Sequence, residues 1–136
     1  MTKKILKDLV SPNSKVKILQ VSILITNDRE IKALNKKYRR KNRATDVLSF
    51  TARDAVGPLY SLGDIVISLE TTLRQAKALD INPNQELLRL IIHGLLHLLG
   101  YEHVNTATKT AAKMRALEEI IYKRYRKQSK RFFTIA

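Results

Sequence analysis

NQELLRLIIHGLLHLLG, residues 84–100, is apolar on nearly every side when it is drawn as a helix. Asn82-Pro83 just before it offers a helix start, because proline is tolerated in the first turn. Gly100 can end the helix by taking the left-handed conformation. A helix that is apolar nearly all round is buried. The stretch therefore predicts a central helix with the other elements packed around it.

Patterns on both sides of that helix predict strands as well as helices. Near-alternating β-branched residues at 16–26 predict one strand, and two shorter strands at 47–50 and 62–69 flank a turn at 54–58 and predict a hairpin-like pair. Helical spacing or composition predicts further helices over 3–10, 28–40, 70–79 and 106–127. We predict an α+β fold. It is a single domain over residues 1–136, with a small mixed sheet covered by helices.

Composition limits the kinds of site that the chain can build. It contains no cysteine, so disulfides and thiolate metal sites are excluded and a metal must bind through nitrogen or oxygen. The N-terminal residues include lysines but no long apolar run of the signal-peptide type. No segment has the ~18 apolar residues that a membrane-spanning helix needs. We therefore expect a cytoplasmic protein without a membrane partner.

The net charge of +14 is concentrated near the two ends of the chain. Residues 1–45 carry thirteen lysines and arginines against three acids, and residues 123–131 carry six with no acid. Residues 46–122, which include every histidine, hold seven basic and nine acidic side chains. Clustered positive charge beside a site is typical of proteins that bind a polyanion, most often nucleic acid. The alternative is a basic protein whose charge only aids solubility.

All three histidines of the chain lie within eleven residues. His93 and His97 are four residues apart and therefore share one face of the predicted helix. A turn at Gly100 can bring His103 back toward them. Burying two imidazoles without partners costs on the order of 1–3 kcal/mol each, and one shared metal ion satisfies both. The three imidazoles predict a zinc site with a fourth position left open, although nickel or copper can occupy the same ligands.

The spacing of these histidines also matches the metzincin metalloproteases. Those enzymes carry a glutamate directly after the first histidine as the general base, whereas this chain has Gly94 there. Glu102 is the only acid within the motif. Because Gly94 has no side chain to accept a proton, the pattern disfavours peptide hydrolysis.

The same residues carry a resemblance to a known family. Residues 93–103, HGLLHLLGYEH, are similar to H-G-x-x-H-L-x-G-Y-D-H, the signature of the YbeY family of bacterial rRNA maturation factors. Residues 34–41, LNKKYRRK, and 45–50, TDVLSF, resemble that family's L-N-x-x-Y-R-x-K and T-[ND]-V-L-S-F. Residues 62–68, LGDIVIS, are a third similar block. The single positions that also match are Glu86, Met114 and Glu118.

The resemblance implies a metal-dependent endoribonuclease specific for single-stranded RNA. It implies zinc on His93, His97 and His103, and a functional arginine at Arg39 in the cleft near the metal. A guanidinium there can hold a phosphate by paired hydrogen bonds. The resemblance further implies maturation of the 3′ end of small-subunit (16S) ribosomal RNA and ribosome quality control. The implied partners are ribosomal RNA and the ribosome or small-subunit proteins.

Several positions leave alternatives open. Glu102 replaces the aspartate of the family signature, and Thr51-Ala52 replaces a proline-containing segment. Asp46 and Asp64 either orient the ligand imidazoles or cap turns. The alternative function is an RNA-binding ribosome assembly factor whose metal is structural. A carboxylate such as Glu102 would then close the metal site.

Overall fold

Three β-strands and four α-helices form the part of the chain that the computed structural model describes, residues 18–56, 59–101 and 108–128. The strands are β1 (Ile18–Thr26), β2 (Val47–Val56) and β3 (Leu59–Ser68). The helices are α1 (Asp28–Arg39), α2 (Leu69–Leu79), α3 (Pro83–Leu98) and α4 (Thr108–Tyr125), and a 3₁₀ helix follows at Arg126–Gln128. The predicted α+β class is confirmed. The helix predicted over 3–10, together with Glu102 and His103, lies outside the described residues.

The three strands form a mixed sheet in the order β1-β3-β2. β1 runs parallel to β3, while β2 and β3 are antiparallel, as the hairpin-like prediction required. β2 therefore lies at one edge of the described sheet. The turn predicted at 54–58 is wrong for residues 54–56, because these continue β2 and pair with residues 59–61 of β3.

A bulge at Gly63 explains why these two strands are longer than predicted. Gly63 has φ +136°, and a Cβ there would lie 2.0 Å from the carbonyl oxygen of Phe50. Beside this residue, the register between β3 and β1 shifts, and so does the register between β3 and β2. On β2, regular pairing resumes at Asp54. Only glycine tolerates both the dihedral angle and the close backbone. The break in apolar alternation therefore marks a bulge within a strand.

The main core lies between the sheet and α3, as the apolar stretch predicted. Ile65 and Ile67 of β3 are fully buried against it, and α4 adds a second layer behind α3. Val66 points to the opposite face of the sheet because side chains alternate along a strand. There it packs with Ile31 of α1 and Leu48 of β2 in a smaller cluster. α1 and α3 thus cover opposite faces of the sheet.

The ends of the helices follow the signals in the sequence. Asn27 and Asn82 cap α1 and α3, because each side-chain oxygen accepts a backbone N–H of the first turn. Gly100, with φ 101°, ends α3 as predicted, and its N–H donates to the carbonyl of His97. The histidine pair therefore lies on the last turn and a half of a buried helix. Within the described ranges, no helix is long and apolar enough to cross a membrane.

Candidate active site

His93 and His97 lie one turn apart near the end of α3, and both side chains are half-buried. Their Nε2 atoms are 2.9 Å apart. A tetrahedral zinc ion with bonds of ~2.0–2.1 Å holds neighbouring ligand nitrogens about 3.3 Å apart. The pair therefore suits a shared ion after a small adjustment of the rings. The predicted third ligand, His103, lies outside the described residues, and the described ones contain no group of three potential ligands.

Glu118 of α4 fixes the orientation of His93. Its Oε1 lies 2.6 Å from Nδ1 of the imidazole. A carboxylate only accepts hydrogen bonds, so Nδ1 carries the proton and Nε2 presents its lone pair toward His97. Metal-binding histidines usually donate their second nitrogen to a carboxylate in this way. The donor set fits zinc. The family motif marked Glu118, but its contact with His93, 25 residues earlier, was not predicted.

Both histidines open onto a cavity of about 400 Å³ beside β2. The C-terminal end of α1 and the loop after it form the other side of this cavity. Arg39, Lys41 and Arg43 line it together with the two histidines. The structure therefore brings Arg39 and two of the three predicted zinc ligands into one site.

Ser49 of β2 connects the two sides of the cavity. Its backbone carbonyl accepts a hydrogen bond from the guanidinium of Arg39, and its hydroxyl donates to the carbonyl of Gly94 at 3.3 Å. The guanidinium also lies 5.4 Å from the centre of the Phe50 ring. Because α1 and α3 cover opposite faces of the sheet, an edge strand is the element that can hold both. This role of Ser49 was not predicted.

The two aspartates with alternative roles occupy different places. Asp46 lines the cavity, but its carboxylate accepts the N–H of Val47 at 2.8 Å and the side-chain amide of Gln75 at 3.3 Å. These contacts favour the turn-capping alternative for Asp46. Asp64 is exposed on β3 and is not among the residues that line the cavity. The structure therefore does not place Asp64 beside the histidines.

Glu86 is a buried acid on the same face of α3, two turns before His93. Its side chain is 4 % exposed, and its Oε2 has no hydrogen-bond partner among the described residues. Desolvation raises the pKa of Glu86 above its usual 4.5, the charge of Arg89 opposes that rise, and the charge of Asp46 adds to it. Glu86 therefore holds a proton more readily than an exposed carboxyl does. The sequence marked this residue only as a motif match.

The position of the metzincin general base is filled by the sheet in this chain. A Cβ on Gly94 would lie 2.9 Å from Cγ2 and 3.0 Å from Cδ1 of Ile65. A glutamate at this position has no room unless β3 moves away from α3. The lack of a protease base is thus a requirement of the packing as well as a property of the sequence.

The comparisons with known proteins agree on one family. A family model described as "Endoribonuclease YbeY" matches residues 1–126. "Endoribonuclease YbeY" of Aquifex aeolicus (strain VF5) is 45% identical over 103 residues, 76% of this chain and 68% of that protein. Its namesake from Persephonella marina (strain DSM 14350 / EX-H1) is 39% identical over 132 residues, 93% of this chain and 85% of that protein.

A solved structure supports the fold. The solution structure of TM1509 from Thermotoga maritima is similar with a TM-score of 0.56 and 26% sequence identity. The match covers 95% of this chain and 82% of that one. The family model spans nearly the whole sequence, and the structural match confirms the fold. The chain belongs to the endoribonuclease YbeY family.

Proposed function

We propose that this protein is a zinc-dependent endoribonuclease that cuts single-stranded RNA. The observation that carries the proposal is the cavity in which His93, His97 and Arg39 meet. A structural metal is enclosed by its protein ligands, whereas a metal beside a cavity of about 400 Å³ is accessible to a substrate. Membership of the family supports the ribonuclease activity.

In this proposal the zinc ion is held by His93, His97 and His103. Glu118 keeps His93 in the tautomer that presents Nε2 to the ion. When bound, zinc stabilises negative charge on a phosphoryl oxygen and makes water a stronger acid. The buried side of Gly94 leaves no room for a general base of the protease type.

The cations of the cavity hold the RNA backbone. The carbonyl of Ser49 keeps the guanidinium of Arg39 at the cavity wall, and the remaining guanidinium donors bind a phosphate in a bidentate manner. Lys41 and Arg43 add positive charge for the neighbouring phosphates. A metal ion and an arginine in one cavity can thus act on the same phosphodiester.

The finer assignment follows the family resemblance. We propose that the substrate is the 3′ end of 16S ribosomal RNA in the cytoplasm. The activity would serve both its maturation and ribosome quality control, with the ribosome or small-subunit proteins as partners. The net charge of +14 supports a ribonucleoprotein environment.

Cells depleted of the protein should accumulate 16S precursors extended at the 3′ end. A plasmid carrying the wild type should remove these precursors, and one carrying His97→Ala should not.

The direct test uses zinc-loaded protein and a labelled single-stranded RNA. His97→Ala should lose cleavage. Arg39→Ala should keep its zinc and cut about 100- to 1,000-fold more slowly, because a charge-stabilising donor is lost. Arg39→Lys should recover only part of this loss, and Lys77→Ala, an exposed charge outside the cavity, should cut normally. Equal cutting by the wild type and His97→Ala would overturn the proposal.

An RNA-binding assembly factor with a structural zinc ion is the second candidate. The clustered basic residues near both ends of the chain favour it, since they require only that RNA binds. The depleted cells distinguish the two functions. If a His97→Ala protein that still binds RNA restores 16S maturation, the second candidate is correct.

A further inference from the structure

Tyr38 is an exposed aromatic residue in the last turn of α1, the end of the helix that borders the cavity. Its exposure is 56 %, and no other aromatic residue that the structure describes is exposed. It is followed in the chain by Arg39, which lines the cavity, and the Tyr38 ring and the Arg39 guanidinium both lie beside the ring of Phe50. An exposed aromatic ring at this end of α1 is accessible to a ligand that enters the cavity.

The Tyr38 ring is held in place although it is exposed. Its centre lies 5.4 Å from that of Phe50, with an interplanar angle of 69°, the edge-to-face arrangement that aromatic pairs prefer. Phe50 is itself half-buried against the small cluster of Ile31, Leu48 and Val66. A tyrosine has only two side-chain torsions, so a ring packed in this way loses little entropy when a ligand stacks on it.

Positively charged side chains lie close to the Tyr38 ring. The Lys37 ammonium lies 5.2 Å from the centre of the Tyr38 ring, and the Arg39 guanidinium lies beside Phe50. Lys36 and Arg40 add charge on the same helix end. An aromatic face among cations is the arrangement with which proteins bind single-stranded nucleic acid: the cations hold phosphates and the ring stacks on a base. Binding of an apolar protein surface would not require these positive charges.

We propose that Tyr38 stacks on an unpaired RNA base, next to the nucleotide whose phosphate is held by Arg39. This inference rests on the proposed function and adds a base-binding subsite to it. A base within a duplex is covered on both faces by its neighbours, so only an unpaired base can offer a face to the ring. Tyr38 is therefore a specificity-determining residue that selects single strands without reading their sequence.

Binding should be measured in the His97→Ala background, so that the RNA stays intact. Tyr38→Ala should weaken the binding of a single-stranded oligonucleotide about 5- to 150-fold, the range expected for one stacked base. Tyr38→Phe should bind like its parent. In a series of oligonucleotides that each carry one abasic position, moved along the strand, the Tyr38 parent should bind one member more weakly than the others. For that member, Tyr38→Ala should show no further loss of affinity.

A tryptophan provides a readout that is independent of affinity. The chain has no tryptophan, so Tyr38→Trp introduces a single tryptophan, which can be excited selectively over the remaining tyrosines. Its emission should be quenched by single-stranded RNA and much less by a duplex of the same sequence. Ile120→Ala, an exposed apolar residue on α4 outside the cavity, is the matched control and should bind RNA normally.

The outcomes separate this inference from the proposed function. If Arg39→Ala weakens binding but Tyr38→Ala does not, the stacking subsite is wrong and the proposed function survives. If the wild type neither binds nor cuts single-stranded RNA, both fail. An equal loss for single-stranded and duplex RNA on Tyr38→Ala would also overturn the inference, because stacking on an exposed base cannot produce it.

Discussion

Glu118 shows how a single contact can prepare a metal site. Its carboxylate accepts the Nδ1 proton of His93 at 2.6 Å and so leaves the Nε2 lone pair for the proposed zinc ion. Neither residue is fully buried, since His93 and Glu118 side chains are 29% and 26% exposed. The hydrogen bond therefore has to fix a ring that packing alone would leave mobile.

Removing this carboxylate should weaken zinc binding. We expect Glu118→Ala to lower zinc affinity about 10- to 100-fold, because His93 loses the partner that sets its tautomer and orientation. Competition with a chromophoric chelator measures the affinity without any RNA. Glu119→Ala is the matched control, since Glu119 is the next residue and, within the described part of the chain, its ion pair is an exposed one of 3.8 Å with Lys123. Equal affinities for the two variants would contradict the assigned role of Glu118.

Asp28 illustrates how one side chain can join two elements. It lies at the first position of α1 and accepts hydrogen bonds from three residues at the start of α2, Ser68, Thr71 and Arg74. The bonds from Ser68, Thr71 and Arg74, in that order of importance, lower the pKa of Asp28 from 3.8 to about 2. The ionised form therefore ties the N-termini of α1 and α2 together.

The folded protein should consequently become less stable in acid, because Asp28 becomes protonated. A lowered pKa in the folded state stabilises the protein above pH 3.8, and this contribution disappears as the pH falls from 3.8 toward 2. With an allowance for its partial exposure, we expect about 1–2 kcal/mol at neutral pH. Urea unfolding of the wild type and Asp28→Asn over this pH range measures the difference. Arg74→Ala should reduce the free energy of unfolding by less than Asp28→Asn does. If the free energy of unfolding of the wild type and of Asp28→Asn changed with pH in parallel, the contribution of Asp28 would be refuted.

The contact between α3 and β3 depends on Gly94. Adding a methyl group there would improve helix propensity by up to about 1 kcal/mol but would press on a fully buried Ile65. We expect Gly94→Ala to destabilise the protein by about 1–2 kcal/mol overall, since overpacking outweighs propensity. In an Ile65→Ala background this cost should shrink, whereas in an Ile67→Ala background it should persist. Denaturant midpoints of Gly94→Ala in the three backgrounds, each compared with its parent, decide the matter.

At the scale of the whole molecule, positive charge should govern how RNA binding responds to salt. Each phosphate contact to a single strand contributes a slope of about −0.7 to the plot of log affinity against log salt. The double variant Lys41→Ala/Arg43→Ala should therefore reduce the slope by about 1.4. Lys77→Ala/Lys113→Ala removes the same charge from exposed positions outside the cavity and should change it less. If the slope of the Lys41→Ala/Arg43→Ala variant equalled that of the wild type, Lys41 and Arg43 would be excluded from the RNA interface.

The fold could be predicted from the sequence where the signal was local. The apolar run of α3, its start at Asn82-Pro83 and its end at Gly100 were all predicted, because each depends on residues within a few positions. The extra length of β2 and β3 was not predicted, since the Gly63 bulge is recognised only when both neighbouring strands are in place.

The candidate site shows the same division. The helical spacing of His93 and His97 predicted that they lie side by side, and a family motif predicted a role for Arg39. The contacts that position them, from Glu118 and Ser49, join elements that are distant in the chain, and no periodicity carries that information. The sequence therefore indicated the candidate site residues better than it indicated the residues that position them.

The hydrogen bond from Arg39 to Ser49 has a second consequence for the molecule. β2 lies at the edge of the described sheet, and an edge strand with unpaired carbonyls is a template on which another chain can add a strand and begin to aggregate. A bulky cation bound to the middle of that edge blocks such an addition. We therefore expect Arg39 to oppose aggregation at this edge whether or not RNA occupies the cavity. Selection for solubility and selection for cleavage would then act on the same side chain.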